Sequence, residues 1–184
     1  EKYPDSMVPI NALLFIHAEA PDLANSLWLS RRLVQMMPDY PPFAHLSGHY
    51  EWRCGHHALA ATAFGRAVTL YQNWMEDQKI TIADCPEWAR AEGCRIVALA
   101  SRGELESARA SARKLAATPL TKDRPSSPGN RFLLWEAKTL TARLMLGGMT
   151  KANAKESSAS LPKPAEIEKF REHSLAYWWI DGLR

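Results

Sequence analysis

The residues of this 184-residue chain best suited to chemistry crowd into one short stretch, His45–Gly55, which reads HLSGHYEWRCG. His45, His49 and Trp52 follow at i, i+4 and i+7. A helix over Pro42–Cys54 therefore sets all three on one face, with His56 past its end. The opposite stripe, Phe43, Leu46, Tyr50 and Cys54, is the face expected to meet a core. Three chemistries fit the histidine face. An indole beside several polar groups suits recognition of a peptide with acidic or aromatic side chains. Imidazoles at i and i+4 can chelate a metal ion from one helix if a third ligand is found; HExxH is absent, and Glu51, Cys54, His56 or His57 would have to bend in. The plainest reading is solvated or core-satisfied histidines with no dedicated role.

Signatures of an enzyme are missing. There is no GxSxG, no P-loop and no GxGxxG, and Gly147–Gly148 follows a helical stretch instead of a strand. Cys54 lies close to His56 and His57, but a thiol packed on a helix face is more often structural than nucleophilic. Glu104 with Glu106, and Glu166 with Glu168 and Glu172, read as helix starts favoured by the helix dipole. The expectation is a protein that is not an enzyme and needs no cofactor.

Composition narrows the partners. The net charge is only +3 and no basic block reaches five in a row, so nucleic acid is not expected; Trp178 and Trp179, at a chain end, read as packing residues. No apolar run reaches the roughly 18 residues of a membrane span. Cys54, Cys85 and Cys94 form no CxxC and are expected as free thiols. The chain opens with Glu1, so the compartment stays open: cytoplasmic, or periplasmic if a signal peptide was removed. Association with further copies of the chain is left open too.

The elements that must position these residues are helices. Hydrophobic residues make up 46% of the chain and only 9 glycines occur, while alanine is plentiful. Prolines punctuate the chain and leave long free stretches at 43–85, 87–118 and 129–161, each with room for two helices and a turn. Ala60, Phe64, Ala67, Tyr71 and Trp74 make one apolar helical face; Leu105, Ala108, Ala112 and Leu115 make another. Pro21 is placed to open a helix through Leu23, Leu27, Leu33 and Met37, and 132–146 reads as a mostly buried helix. An aromatic-rich helix over 165–183 closes the chain. Only Lys79–Ala83 alternates like a strand. Glu76–Cys85 and Ser157–Pro164 read as connections, and Thr118–Asn130, with three prolines, as a mobile one.

One pattern recurs: a glycine, then small or apolar residues at +5, +9 and +12. Gly55, Ala60, Phe64 and Ala67 fit it, as do Gly103, Ala108, Ala112 and Leu115. Gly147, Ala152 and Ala159 form a partial third copy spoiled by Glu156, and Glu19, Ala24, Trp28 and Arg31 a degenerate first one. The glycine permits a sharp turn, the alanine lets two helices approach, and the larger residue fills the seam to the next hairpin.

On Gly48, Gly55, Ala60, Phe64 and Ala67, and on Gly103, Ala108 and Leu115, the chain resembles the tetratricopeptide repeat family, with His45–Gly55 similar to a first-helix stretch of some bacterial members. The anchor spacings exceed the family's usual repeat of about 34 residues, and Glu51 stands where the family usually has tyrosine. The resemblance implies an all-α domain of roughly nine helices, stacked as antiparallel hairpins at about 7–37, 42–76, 86–117 and 130–159 into a right-handed superhelix capped by 165–183. It implies a scaffold that holds a protein or peptide in its concave groove. His45, His49, Trp52 and Arg53 are the expected contact residues, with His17 and Arg90 nearby. Trp52 would supply apolar area, Arg53 a charge-assisted hydrogen bond, and the histidines a contact sensitive to pH below about 6.5. The family's lysine and asparagine clamp for C-terminal carboxylates is not matched, because His45 and His49 hold those positions. The rival reading is a metal-binding protein or metal-dependent enzyme centred on His45 and His49.

Overall fold

The computed structural model describes residues 6–17, 23–146, 155, 156 and 159. Helices α1 (Met7–His17), α2 (Leu23–Met36), α3 (Pro41–Arg53), α4 (His57–Gln78), α5 (Pro86–Ser101) and α6 (Leu105–Ala116) follow in order. A longer helical run then joins α7 (Pro128–Phe132), a π-helical turn (Leu133–Ala137) and α8 (Lys138–Leu146). No strand occurs among the described residues, and Lys79–Ala83 lies in the connection after α4. The helix expected over 165–183, together with Gly147 and Ala152 of the partial third copy, lies outside the described residues.

Proline sets three of the helix starts. Pro41, Pro86 and Pro128 each occupy the first turn, where a missing N–H costs nothing because that group has no intrahelical acceptor. The ends of α3, α4 and α5 are set by left-handed residues. Gly55 has φ +79° and Gly103 φ +85°. At the first, the His56 amide bonds Glu51 O and the Gly55 amide bonds Trp52 O; at the second, Glu104 bonds Leu99 O and Gly103 bonds Ala100 O. These are two copies of one Schellman turn, each reversing the chain into the next helix. Lys79 closes α4 in the same way, with φ 54° and bonds from Ile80 to Met75 and from Lys79 to Glu76.

The positions after each glycine are interior. Ala60, Ala67, Ala108 and Ala112 are fully buried, and Phe64 and Leu115 nearly so. Each helix from α1 to α6 packs on the next, α7 lies on α5, and α8 returns onto α6. One core unites α4, α5, α6 and the 128–146 run around Phe64, Ile96, Leu115, Phe132 and Leu133; a second joins α1, α2 and α3 around Leu14, Leu33 and Tyr50. The degenerate first copy does not follow the pattern: Ala24 and Trp28 are exposed, and α2 buries Ser26, Leu27, Leu29, Ser30 and Leu33 instead. Ala159 of the third copy is exposed as well.

The proline-rich 118–130 segment, expected to be mobile, is pinned. The Asn130 side chain donates to the carbonyls of Thr121 (2.8 Å) and Arg124 (2.9 Å) and accepts from the Thr121 amide (2.9 Å). Arg124 pairs with Asp84, and Ser127 caps α7. A Cβ at Gly129 would overlap the Ile82 carbonyl, so α7 starts hard against the turn that precedes α5.

Candidate functional site

Helices α3 and α5 and the 128–146 run share one groove of about 700 Å³. Helix α3 contributes His45, His49 and Trp52; α5 contributes Arg90, Gly93, Cys94 and Val97; the π turn and α8 contribute Trp135, Glu136, Thr139, Leu140 and Arg143. Phe64 and Leu115 form part of its lining from α4 and α6.

The two histidines are held in a fixed pose. Their rings stack with centroids 4.9 Å apart and planes 17° apart. The Phe64 ring meets both edge-on, at 5.6 Å from His45 and 5.1 Å from His49. Phe64 can come this close because Gly48, on the turn between them, has no side chain: a Cβ there would lie 2.6 Å from the ring carbons. Trp52 donates its indole N–H to Ser101 Oγ at 3.2 Å, bridging α3 to the end of α5, while 41% of the residue remains exposed.

Burial dominates the electrostatics. It lowers the His45 pKa to about 4, helped by the nearby His49 and Arg90. His49 is also lowered, by desolvation and then by the Arg53 charge. Both shifts run downward from the ordinary value of 6.5, so the pH response expected of these histidines below about 6.5 is displaced to more acidic conditions, for His45 to about 4. Burial pushes the Cys94 thiol up to about 11, with Glu136 adding to the effect. The Glu136 carboxyl is itself raised by desolvation, which Arg90 opposes.

Four of the six expected contact residues, His45, His49, Trp52 and Arg90, line this groove. Arg53 does not: its guanidinium lies over the Tyr50 ring, 5.7 Å from the centroid, and reaches the groove only through its charge on His49. Arg53 stands four residues on from His49, and its guanidinium turns back over the ring of Tyr50, three residues before it. The His17 side chain lies outside the described residues.

Of the four residues that were to bend toward the histidines, Glu51, Cys54 and His56 are engaged elsewhere, and His57 lies beside Trp52 with ring centroids 6.2 Å apart. Glu51 is buried between α2 and α3, where Arg31 donates to it in bidentate fashion at 2.6 and 3.0 Å and His56 Nδ1 stands 2.9 Å away. Cys54 packs against the α1–α3 core. The third donor comes from another helix. Cys94 Sγ lies 4.0 Å from His49 Nε2, and the ligand atoms of His45, His49 and Cys94 all fall within 4.8 Å of one another. The turn glycines do align Gly93 and Val97 with the histidines: they stand ten and six residues before Gly103, as His45 and His49 stand before Gly55. The same alignment sets Cys94 level with Leu46, on the stripe expected to meet a core, so the sequence pattern does not bring the thiol to the histidines.

Among known proteins, no family model matches the chain and no curated protein matches it.

Proposed function

We propose that the chain is a binding module of tetratricopeptide-like architecture that holds an extended segment of a partner protein, rich in acidic and aromatic side chains, along the α3–α5–α8 groove. The observation that carries this reading is the composition of the groove. Its walls are mostly apolar, with Trp52, Val97, Phe132 and Trp135 offering area, and among the described residues that line it two arginines, Arg90 and Arg143, stand with one carboxylate, Glu136. The repeated Schellman turns and the helix-by-helix packing support hairpins stacked in a curved array, whose first helices face the ligand. Among the described residues the thiol of the groove is Cys94, at the long distance of 4.0 Å from His49 Nε2, and burial holds the proton on the sulfur.

The test is selection of peptides from a random displayed library on the purified chain, followed by titration of the enriched sequence. Acidic and aromatic residues are expected to be enriched. Trp52→Ala and Arg90→Glu are expected to weaken binding by about tenfold or more each, and Arg53→Ala by much less. Equal affinity for wild type and both groove variants would remove the groove as the binding site.

A further inference from the structure

We infer that His45, His49 and Cys94 form a binding site for a zinc-class divalent ion, with a fourth coordination position open to the groove. The donor set is two imidazole nitrogens and one sulfur, drawn from two helices that converge on one point. Two nitrogens and a thiolate suit a borderline-soft ion such as Zn²⁺ or Co²⁺ and disfavour Mg²⁺ or Ca²⁺, which prefer oxygen.

The geometry needs little adjustment. Metal–ligand bonds of about 2.0–2.3 Å in a tetrahedron hold donor atoms roughly 3.3–3.8 Å apart. Here the sulfur is 4.0 Å from His49 Nε2 and the widest separation is at most 4.8 Å. Rotation about side-chain bonds that tilts the two near-parallel imidazole planes toward one ion is what closes that gap. The pose of the imidazoles is already set by the Phe64 ring against both of them, the kind of packing support that ligating histidines need.

With the ion bound, the charges named around the site sum to one net positive charge. On binding, the Cys94 S–H bond breaks, a sulfur–metal bond forms through the thiolate lone pair, and the proton leaves to solvent. The ion and thiolate together carry one positive charge. Glu136, which couples electrostatically to Cys94, opposes it, while Arg90, which couples to His45, adds to it. Three protein ligands leave one position for water or for a donor brought by whatever occupies the groove. The site stands on its own donors and holds whether or not a peptide binds there.

The experiment is a Co²⁺ titration of the tag-free, reduced chain, read by absorbance. A single equivalent is expected to produce the d–d bands of a four-coordinate ion and a thiolate-to-cobalt charge-transfer band. One equivalent of Zn²⁺ is expected to bleach both, with release of about one proton per ion at neutral pH in weak buffer. Cys94→Ser is expected to abolish the charge-transfer band, and His49→Gln to weaken Co²⁺ binding by at least about tenfold. Circular dichroism checks that each variant keeps its helices. Cys54→Ser with Cys85→Ser is expected to leave the spectrum unchanged. No cobalt spectrum from the wild-type chain, or a charge-transfer band that survives Cys94→Ser, would overturn the assignment.

Discussion

Gly48 lies between the two groove histidines on α3, and the space where its side chain would be is filled by Phe64. On an exposed helix, glycine to alanine gains up to about 1 kcal/mol. Here the new methyl would meet aromatic carbons at 2.6 Å, and the ring is locked by both histidines. Gly48→Ala is therefore expected to destabilise the fold by about 1–3 kcal/mol in urea denaturation, reversing the sign that propensity alone predicts. Glu51 carries a second expectation. Burial alone would raise its pKa, but the hydrogen bonds from Arg31 and His56 outweigh burial and lower it below the ordinary 4.5. A carboxylate depressed in the folded state stabilises fully above that ordinary value and loses its contribution as pH falls through the folded one. The urea midpoint of the wild type should fall steeply below about pH 4.5, and Glu51→Gln should flatten that fall. At this scale, His45, His49 and Trp52 are legible because one helix repeats its face every three or four residues. Cys94 is hidden from that pattern, since its approach to His49 comes from α3 and α5 both packing on α4, and periodicity within one helix is silent on how helices are placed around a third.

Among the helices, the connections decide where the groove walls stand. The turn after α4 uses Lys79 in the left-handed conformation that glycine holds after α3 and α5. A side chain there costs backbone strain that glycine avoids. Lys79→Gly is expected to raise stability by roughly 0.5–1 kcal/mol in thermal or urea unfolding, although it removes an exposed charge. The start of α7 is the opposite case. Gly129 has no room for a Cβ against the backbone of Ile82, and Asn130 ties three backbone groups of the 121–124 segment. Gly129→Ala should cost more than about 2 kcal/mol and shift the 128–146 run, read as lowered affinity of a groove-selected peptide. The helix starts were legible from proline and the turns from glycine. The pinning of 118–130 was not, because its anchors are Asn130 inside the next helix and Asp84 some forty residues away.

Across the whole molecule, each helix depends chiefly on its sequence neighbours. The α4–α5 pair sits at the centre of the series, touching α3 on one side and α6 and α7 on the other, whereas α1 packs chiefly on α2. In such a serial arrangement, local opening costs least at the ends. Amide hydrogen exchange should show the greatest protection in α4 and α5 and the least in α1; uniform protection would mean a single cooperative core instead. All-helical character was legible from composition and proline spacing, and helix-by-helix packing agrees with the recurrent glycine pattern. The groove's third wall was not foreseen. It comes from the wide turn at Leu133–Ala137, where five residues close each backbone ring, and no residue type announces such a turn.

That wide turn makes the binding face tunable by length. Trp135 and Glu136 both sit within it, and both line the groove. Losing one residue from 133–137 would tighten the turn into ordinary α-helix and rotate α7 by about 100° relative to α8. The indole and the carboxylate would then trade places with their neighbours while α8 stayed docked on α6. A single deletion or insertion there would thus rewrite the specificity of the groove in one step, something that many substitutions elsewhere along its walls would be needed to match.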